Sequence, residues 1–264
     1  MSTDTAIAGG RNEDADVAAA GPARAASNPH RSEAVVGDDG RFDLTWPVQW
    51  AEALRLLVAV VVVVGTASLA GLVLTDWAAP NAITRLDERI ADWLVDSRSD
   101  ALNSFATVAA FPADSFPKIG ISAIICGICL WRWRRWDEAV YIALPLVFEA
   151  LCFITITHVV QRPRPDVEQL VHSTITSSYP SGHVAAATVY VAMVVVVFRR
   201  ATAVWARTLA VGLFALVAIG VYWVRLYQGV HFASDVLTGI ILGAVSVVIT
   251  DRVLRRRHHE LAAP

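Results

Sequence analysis

Six stretches of this chain are apolar with little interruption over the length a bilayer demands, about 20 residues for a helix rising 1.5 Å per residue. They fall near 54–74, 116–133, 139–160, 183–198, 204–223 and 232–249. Each predicts a membrane-crossing helix, and the second and fourth are short enough that their ends should reach the headgroup zone. Between the first two runs, Thr84 is placed to cap a helix in which Leu86, Ile90, Trp93 and Leu94 share one face. On the other face Asp87, Glu88, Asp92 and Asp96 are expected to meet water, as in a helix lying along the membrane surface. Residues 1–45 carry few large apolar side chains and predict a disordered tail. No apolar segment of the signal-peptide kind opens the chain, so membrane targeting falls to the first spanning helix. The pattern therefore predicts an all-α fold, a six-transmembrane-helix bundle over 46–252, with a basic tail over 253–264.

Composition supports the bilayer as solvent, because 55% of the residues are hydrophobic. The formal net charge of -2 conceals a segregation of arginines into particular loops. Arg132, Arg134 and Arg135 follow the second run, Arg199, Arg200 and Arg207 surround the turn after the fourth, and Arg252, Arg255, Arg256 and Arg257 follow the sixth. By the positive-inside rule these loops are cytoplasmic, with both termini. The segments between the third and fourth and between the fifth and sixth helices then emerge on the outer side. Trp131, Trp133 and Trp136 fit an inner interfacial belt, and Tyr222 and Trp223 an outer one. The bilayer is the expected partner, and no nucleic-acid partner is expected. Cys126, Cys129 and Cys152 lie inside apolar runs and read as small packing residues, and the C-x2-C pair lacks the second pair a zinc site needs.

Three short motifs share the outer side in that threading: Arg162-Pro163-Arg164-Pro165, Pro180-Ser181-Gly182-His183, and Arg225-x5-His231-x3-Asp235. A helix puts His231 and Asp235 on one face, where the carboxylate can accept from one imidazole nitrogen and leave the other as a lone-pair donor. That suits a nucleophile or general base, and a structural cap is the alternative. Ser181 should sit at the cap of the fourth helix, with open amides and the positive end of the helix dipole beside it. Gly182 should allow an oxyanion close, and His183 should be placed to donate a proton. As a plain helix start, the same tetrapeptide would only cap. Arg164 and Arg225, assisted by Arg162, can hold phosphate oxygens, although surface arginines also pair with lipid headgroups.

These residues and spacings resemble the type 2 phosphatidic acid phosphatase (PAP2) family, membrane phosphatases related to vanadium haloperoxidases, whose pattern is K-x6-RP, PSGH and SR-x5-H-x3-D. The match spans 157–235, and the six-helix layout extends it over most of the chain. The resemblance implies a PAP2-like core and hydrolysis of a lipid phosphate or diphosphate through a phosphohistidine at the extracytoplasmic face. Isoprenyl diphosphate, phosphatidic acid and phosphatidylglycerol phosphate are all compatible. By that resemblance His231 attacks phosphorus, Asp235 orients it, and His183 protonates the leaving oxygen. Arg164, Arg225, Ser181 and Gly182 hold the phosphoryl oxygens, with no metal or cofactor. Two other outcomes fit the same site: transfer of the phosphoryl or phosphatidyl group to an alcohol, and lipid-phosphate binding or transport without catalysis.

The chain departs from the pattern at two places. Thr157 stands where the family has lysine, and Val224 where it has serine. Lys118, the sole lysine of the sequence, is a candidate for the missing cation, with His158 and Arg162 as rivals; alternatively it snorkels to the interface. Glu149, in the middle of the third run, must face the bundle interior. It serves there either as a structural hydrogen-bonding group or as a water-mediated partner of Thr157, His158 or an arginine.

Overall fold

In a computed structural model that describes residues 48–77, 81–134, 136–171 and 177–262, all regular structure is helical. The predicted tail 1–45 lies outside the described residues. Helix α1 (Trp50–Leu72) runs on as one π-helical stretch, Val73–Trp77, and α2 (Ala82–Asp96) and α3 (Asp100–Ala110) follow. A 3-10 turn, Phe111–Ala113, leads to α4 (Ser115–Trp133) and α5 (Asp137–Val160). After a long connection come α6 (Gly182–Val189), α7 (Val191–Arg200), α8 (Val204–Tyr227) and α9 (Ala233–Ala262). The six predicted spans are recovered as α1, α4, α5, the α6–α7 pair, α8 and α9, each long and apolar enough to cross a membrane. Leu54, Leu57, Val61, Ile124, Ile128 and Leu216 point outward and exposed, as expected of side chains whose solvent is hydrocarbon.

The fourth span is divided at Tyr190, where the sequence pattern showed one helix. Thr188 Oγ1 donates back to the Val184 carbonyl at 2.8 Å, a bond that bends helices, and the Tyr190 hydroxyl donates to the Pro112 carbonyl at 2.6 Å. Val184 through Val189 are all buried, so α6 occupies the centre of the bundle. It packs chiefly against α9. The seam is a G-x-x-x-G pair, Gly239 and Gly243, at which a Cβ would stand 2.6 Å from the Ser181 carbonyl oxygen and 2.4 Å from that of Ala185. Only glycine lets the two backbones approach so closely. Cys152 is fully buried among Phe148, Ile156 and Val160, in keeping with its reading as a packing residue.

The connection between α1 and α4 differs from expectation. Asn81, not Thr84, caps α2: its side chain accepts from the Ile83 and Thr84 amides, while Thr84 Oγ1 accepts from the Asn81 amide at 3.0 Å. Asp87 is buried, not facing water, and Leu86 and Trp93 are exposed although they belong to the apolar face. The reason is a cation: Asp87 turns inward to meet Arg162. Helix α3, which no pattern announced, packs on α8. It changes the outer belt, since Trp223 stacks on Tyr227 at 4.5 Å and the Tyr222 hydroxyl lies 2.6 Å from Thr188 Oγ1, inside the protein. At the opposite end the arginines gather as expected. Arg199 donates to Asp251 at 2.8 Å, Arg255 to the same carboxylate at 2.7 Å, and Arg200 to Glu138. Helix α9 continues through the segment expected to be a tail beginning at 253.

Because a methyl group at 243 has only backbone and the Thr188 side chain to meet, Gly243→Ala is expected to lower the thermal midpoint in detergent by several degrees. Gly65→Ala, with nothing within 4 Å of its Cβ, should leave the midpoint unchanged. Differential scanning fluorimetry of the two purified variants measures this.

Candidate active site

The site is assembled where three connections meet. Helix α5 stops at Gln161, a left-handed residue with φ 46°, and the chain leaves it through Arg162-Pro163-Arg164-Pro165. Proline lacks an amide hydrogen and pushes its predecessor out of the helical region, which keeps this stretch extended. The segment before α6 lies alongside it: the Ser178 amide donates to the Arg162 carbonyl at 2.8 Å, and Ser178 Oγ to the Pro163 carbonyl at 3.0 Å. Between α8 and α9 the chain reverses at Gly229, φ 72°, and delivers His231 one residue before the helix-capping position.

Arg164 ties these connections together. Its guanidinium donates to the Val230 carbonyl and, at 3.3 Å, to the Ser177 carbonyl. Partial burial lowers its pKa, an effect that the nearby Asp235 carboxylate opposes. Arg225 is buried on α8, where it donates to Gln228 Oε1 at 2.9 Å while its Nε has no hydrogen-bond partner among the described residues. Ser181 caps the first turn of α6 without its side chain engaging there, and its Oγ is buried and has no partner among the described residues. A donor and a hydroxyl left this way in a buried place are costly, and each keeps a hydrogen bond to offer.

His231 is almost wholly enclosed, with Nδ1 2.7 Å from the Ser178 carbonyl oxygen. A carbonyl can only accept, so Nδ1 carries the proton and Nε2 keeps its lone pair. Burial first, then the Arg225 and Arg164 charges, hold its pKa well below the ordinary histidine range, so the ring is neutral at neutral pH. His183 is also among the groups it senses. His183 Nε2 in turn lies 2.9 Å from Asp114 Oδ1, which leaves Nδ1 for a substrate.

Four sequence readings change here. Asp235 does not bond the imidazole: its Oδ2 is 4.0 Å from His231 Nδ1, and the Ser178 carbonyl takes the orienting place. Asp235 instead accepts from the Phe232 amide at 2.9 Å as half of a capping box for α9, and from Arg162 at 2.6 Å. Arg162 is no free phosphate ligand, since it is buried between Asp235 and Asp87. Gly182 is small for a packing reason, because its Cβ would stand 2.8 Å from the Phe153 ring. His158 is exposed, bonded to its own helix at the Ile154 carbonyl, and stands apart from the cluster. Thr157, buried, donates to the Tyr179 carbonyl at 3.2 Å and so supports the segment before α6. Lys118 lies 3.9 Å from Glu149 Oε2 and within electrostatic reach of His183.

Asp114, Asp87, Ser178 and Gln228 were not anticipated. Asp114 had a faint signal, an acidic residue directly before an apolar run with proline in its first turn. The contribution of Ser178 is a backbone carbonyl, which no side-chain pattern encodes.

The family model described as the PAP2 superfamily matches residues 136–258. Phosphatidylglycerophosphatase B of Bacillus subtilis (strain 168) is 33% identical over 168 residues, 62% of this chain and 80% of that protein. YbjG of Escherichia coli (strain K12), provisionally named an undecaprenyl-diphosphatase, is 24% identical over 176 residues, 64% of this chain and 83% of that protein. Among solved structures, a transmembrane PAP2-type phosphatidylglycerolphosphate phosphatase from Bacillus subtilis superposes with a TM-score of 0.62 at 23% identity. That match covers 78% of this chain and 96% of the other. Aquifex aeolicus LpxE gives a TM-score of 0.51 at 22% identity, over 66% and 98% of the two chains. With the six-span bundle and the histidine–arginine cluster already in place, these similarities show that the chain belongs to the PAP2 superfamily and is a multi-pass membrane phosphate hydrolase.

Proposed function

We propose that the protein removes the terminal phosphoryl group from a lipid phosphate or diphosphate through a phosphohistidine on Nε2 of His231, at the extracytoplasmic end of the bundle. The observation that carries this reading is the state of His231, whose proton is committed to the Ser178 carbonyl and whose basic form is favoured by two arginines. A neutral ring with its lone pair on Nε2 is what attack on phosphorus requires. Arg164, Arg225, Ser181 and the open amides at the start of α6 take the equatorial oxygens, where charge accumulates in the transition state. His183, its Nε2–H held by Asp114 and its Nδ1 also protonated at the start of the cycle, donates the Nδ1 proton to the departing oxygen and then withdraws one from the water that hydrolyses the phosphohistidine.

Asp235 serves this scheme indirectly. It caps α9 beside His231 and accepts the Ser181 amide on its own carbonyl at 3.1 Å, so it holds the nucleophile and the oxyanion-binding turn in register. Arginine placement argues for an extracytoplasmic site, because the basic loops cluster at the bundle end opposite the motifs. Lipids acted on by such a site keep their tails in the bilayer while the headgroup reaches the arginines.

Replacing the nucleophile, His231→Ala, is expected to cut phosphate release from a panel of lipid phosphates and diphosphates by about a thousandfold or more. An acid-labile phosphoenzyme should be trapped in the parent and lost in the variant, and turnover should persist in chelator. Retention of turnover by His231→Ala sinks the proposal. For pH, the sign follows from charge: Arg225 disfavours the imidazolium, so Arg225→Gln should raise the pKa of His231 towards its ordinary value. Besides lowering kcat/KM, that variant is expected to move the acid limb of the kcat/KM–pH profile to higher pH.

A further inference from the structure

Helix α4 brings two charged groups to the His183 side of the site. Asp114, its capping residue, meets the imidazole directly, and Lys118 follows one turn later, about 6 Å deeper. The Lys118 ammonium is 3.9 Å from Glu149, a residue 1% exposed whose two carboxylate oxygens accept no hydrogen bond among the described residues. Phe153, one turn above Glu149 on α5, fills the place against Gly182. Lys118 and Glu149 therefore lie one turn beneath the start of α6. A lone lysine at this depth would be costly, and the carboxylate opposite it makes it tolerable. At 3.9 Å the attraction holds the ammonium without committing its three N–H donors.

The cations of the site overlap only in part. Arg225 acts on both histidines; beyond it, Arg164 acts on His231, and Lys118, one turn along α4 from the Asp114 that holds the ring, acts more weakly on His183. The placement of Lys118 on the His183 side bears on what leaves. A phosphate monoester departs as an alkoxide, which one proton from His183 neutralises. A diphosphate departs as a lipid monophosphate, which keeps negative charge on its non-bridging oxygens after the bridging oxygen is protonated. Such charge calls for a cation near the proton donor.

We propose that Lys118 and His183, positioned by Glu149 and Asp114, form a leaving-group subsite that makes the enzyme selective for lipid diphosphates over lipid monophosphates. The proposal rests on the phosphohistidine reading above. In the step concerned, Nε2 of His231 bonds to the terminal phosphorus as the bond from that phosphorus to the bridging oxygen breaks. The electron pair stays on the bridging oxygen, which takes the proton of His183, and Lys118 donates to the non-bridging oxygens of the departing monophosphate. Water then attacks the phosphohistidine, releasing inorganic phosphate and free His231.

The test uses the full chain in detergent with an isoprenyl diphosphate and the isoprenyl monophosphate of the same chain length, comparing kcat/KM for each. The parent is expected to prefer the diphosphate at least about tenfold. Lys118→Met and Lys118→Gln should lower kcat/KM for the diphosphate by about 30-fold, the scale of one lost charge-assisted hydrogen bond, and for the monophosphate by less than about threefold. Lys118→Arg should keep most of the preference, and Glu149→Gln should reduce it. A parent that cleaves both substrates equally, or Lys118 variants that lose both in parallel or neither, would overturn the subsite and leave the phosphatase reading intact. If the parent releases phosphate from neither, the phosphatase reading fails and the subsite with it.

Discussion

The site is organised around one buried guanidinium. Arg162 donates to Asp235 at 2.6 Å, to Asp87 at 3.0 Å and to the Ser234 hydroxyl at 2.7 Å, and it lies over the Phe232 ring. It thereby joins the end of α5, the surface helix α2 and the first turn of α9. A buried charge that loses a partner is destabilised by about 3–5 kcal/mol, so the three elements are held to one arrangement. The turns that carry His231 and His183 both depend on it through Asp235, whose carboxylate caps α9 next to His231 and whose carbonyl receives the Ser181 amide that opens α6.

The same clamp sorts the arginines. Arg162 is neutralised by two carboxylates and is a structural cation, whereas Arg164 holds backbone carbonyls and Arg225 a neutral amide. Hydrogen bonds to neutral groups leave a guanidinium its charge, and it is charge that an anion needs. Both arginines act on His231 and lower its pKa.

Much of this was legible in the sequence. Hydropathy alone located six spans, because a bilayer imposes length and polarity on a helix locally, residue by residue. Arg164, Arg225, His183 and His231 could be placed on one side for the same reason. Contacts between elements distant in sequence were not legible. Asp87 reads as a solvent-facing member of an amphipathic helix until Arg162, 75 positions later, is known to lie beneath it. His231 and Asp235 have the spacing of a bonded pair, yet a backbone carbonyl won the imidazole and an arginine won the carboxylate. Gly182 has the look of an anion-binding glycine, and the neighbour that requires it is Phe153 on another helix. Spacing reports which groups can meet along one element; it is silent on competitors arriving from others.

Depth is what ties the electrostatics to a membrane substrate. Phe153 packs against Gly182 eight residues before the left-handed end of α5, so the start of α6 is recessed by about 12 Å from that end. Helices α2 and α3 pack on α9 and α8. Recession costs His231 its ordinary basicity, and in the phosphohistidine mechanism we propose the neutral ring is the reactive one, so the desolvation that weakens it as a base favours it as a nucleophile. In the same low-dielectric place each cation acts more strongly on a phosphoryl group than it would at the surface. For the lipid substrate we propose, a tail that stays in hydrocarbon lets the phosphate reach that depth.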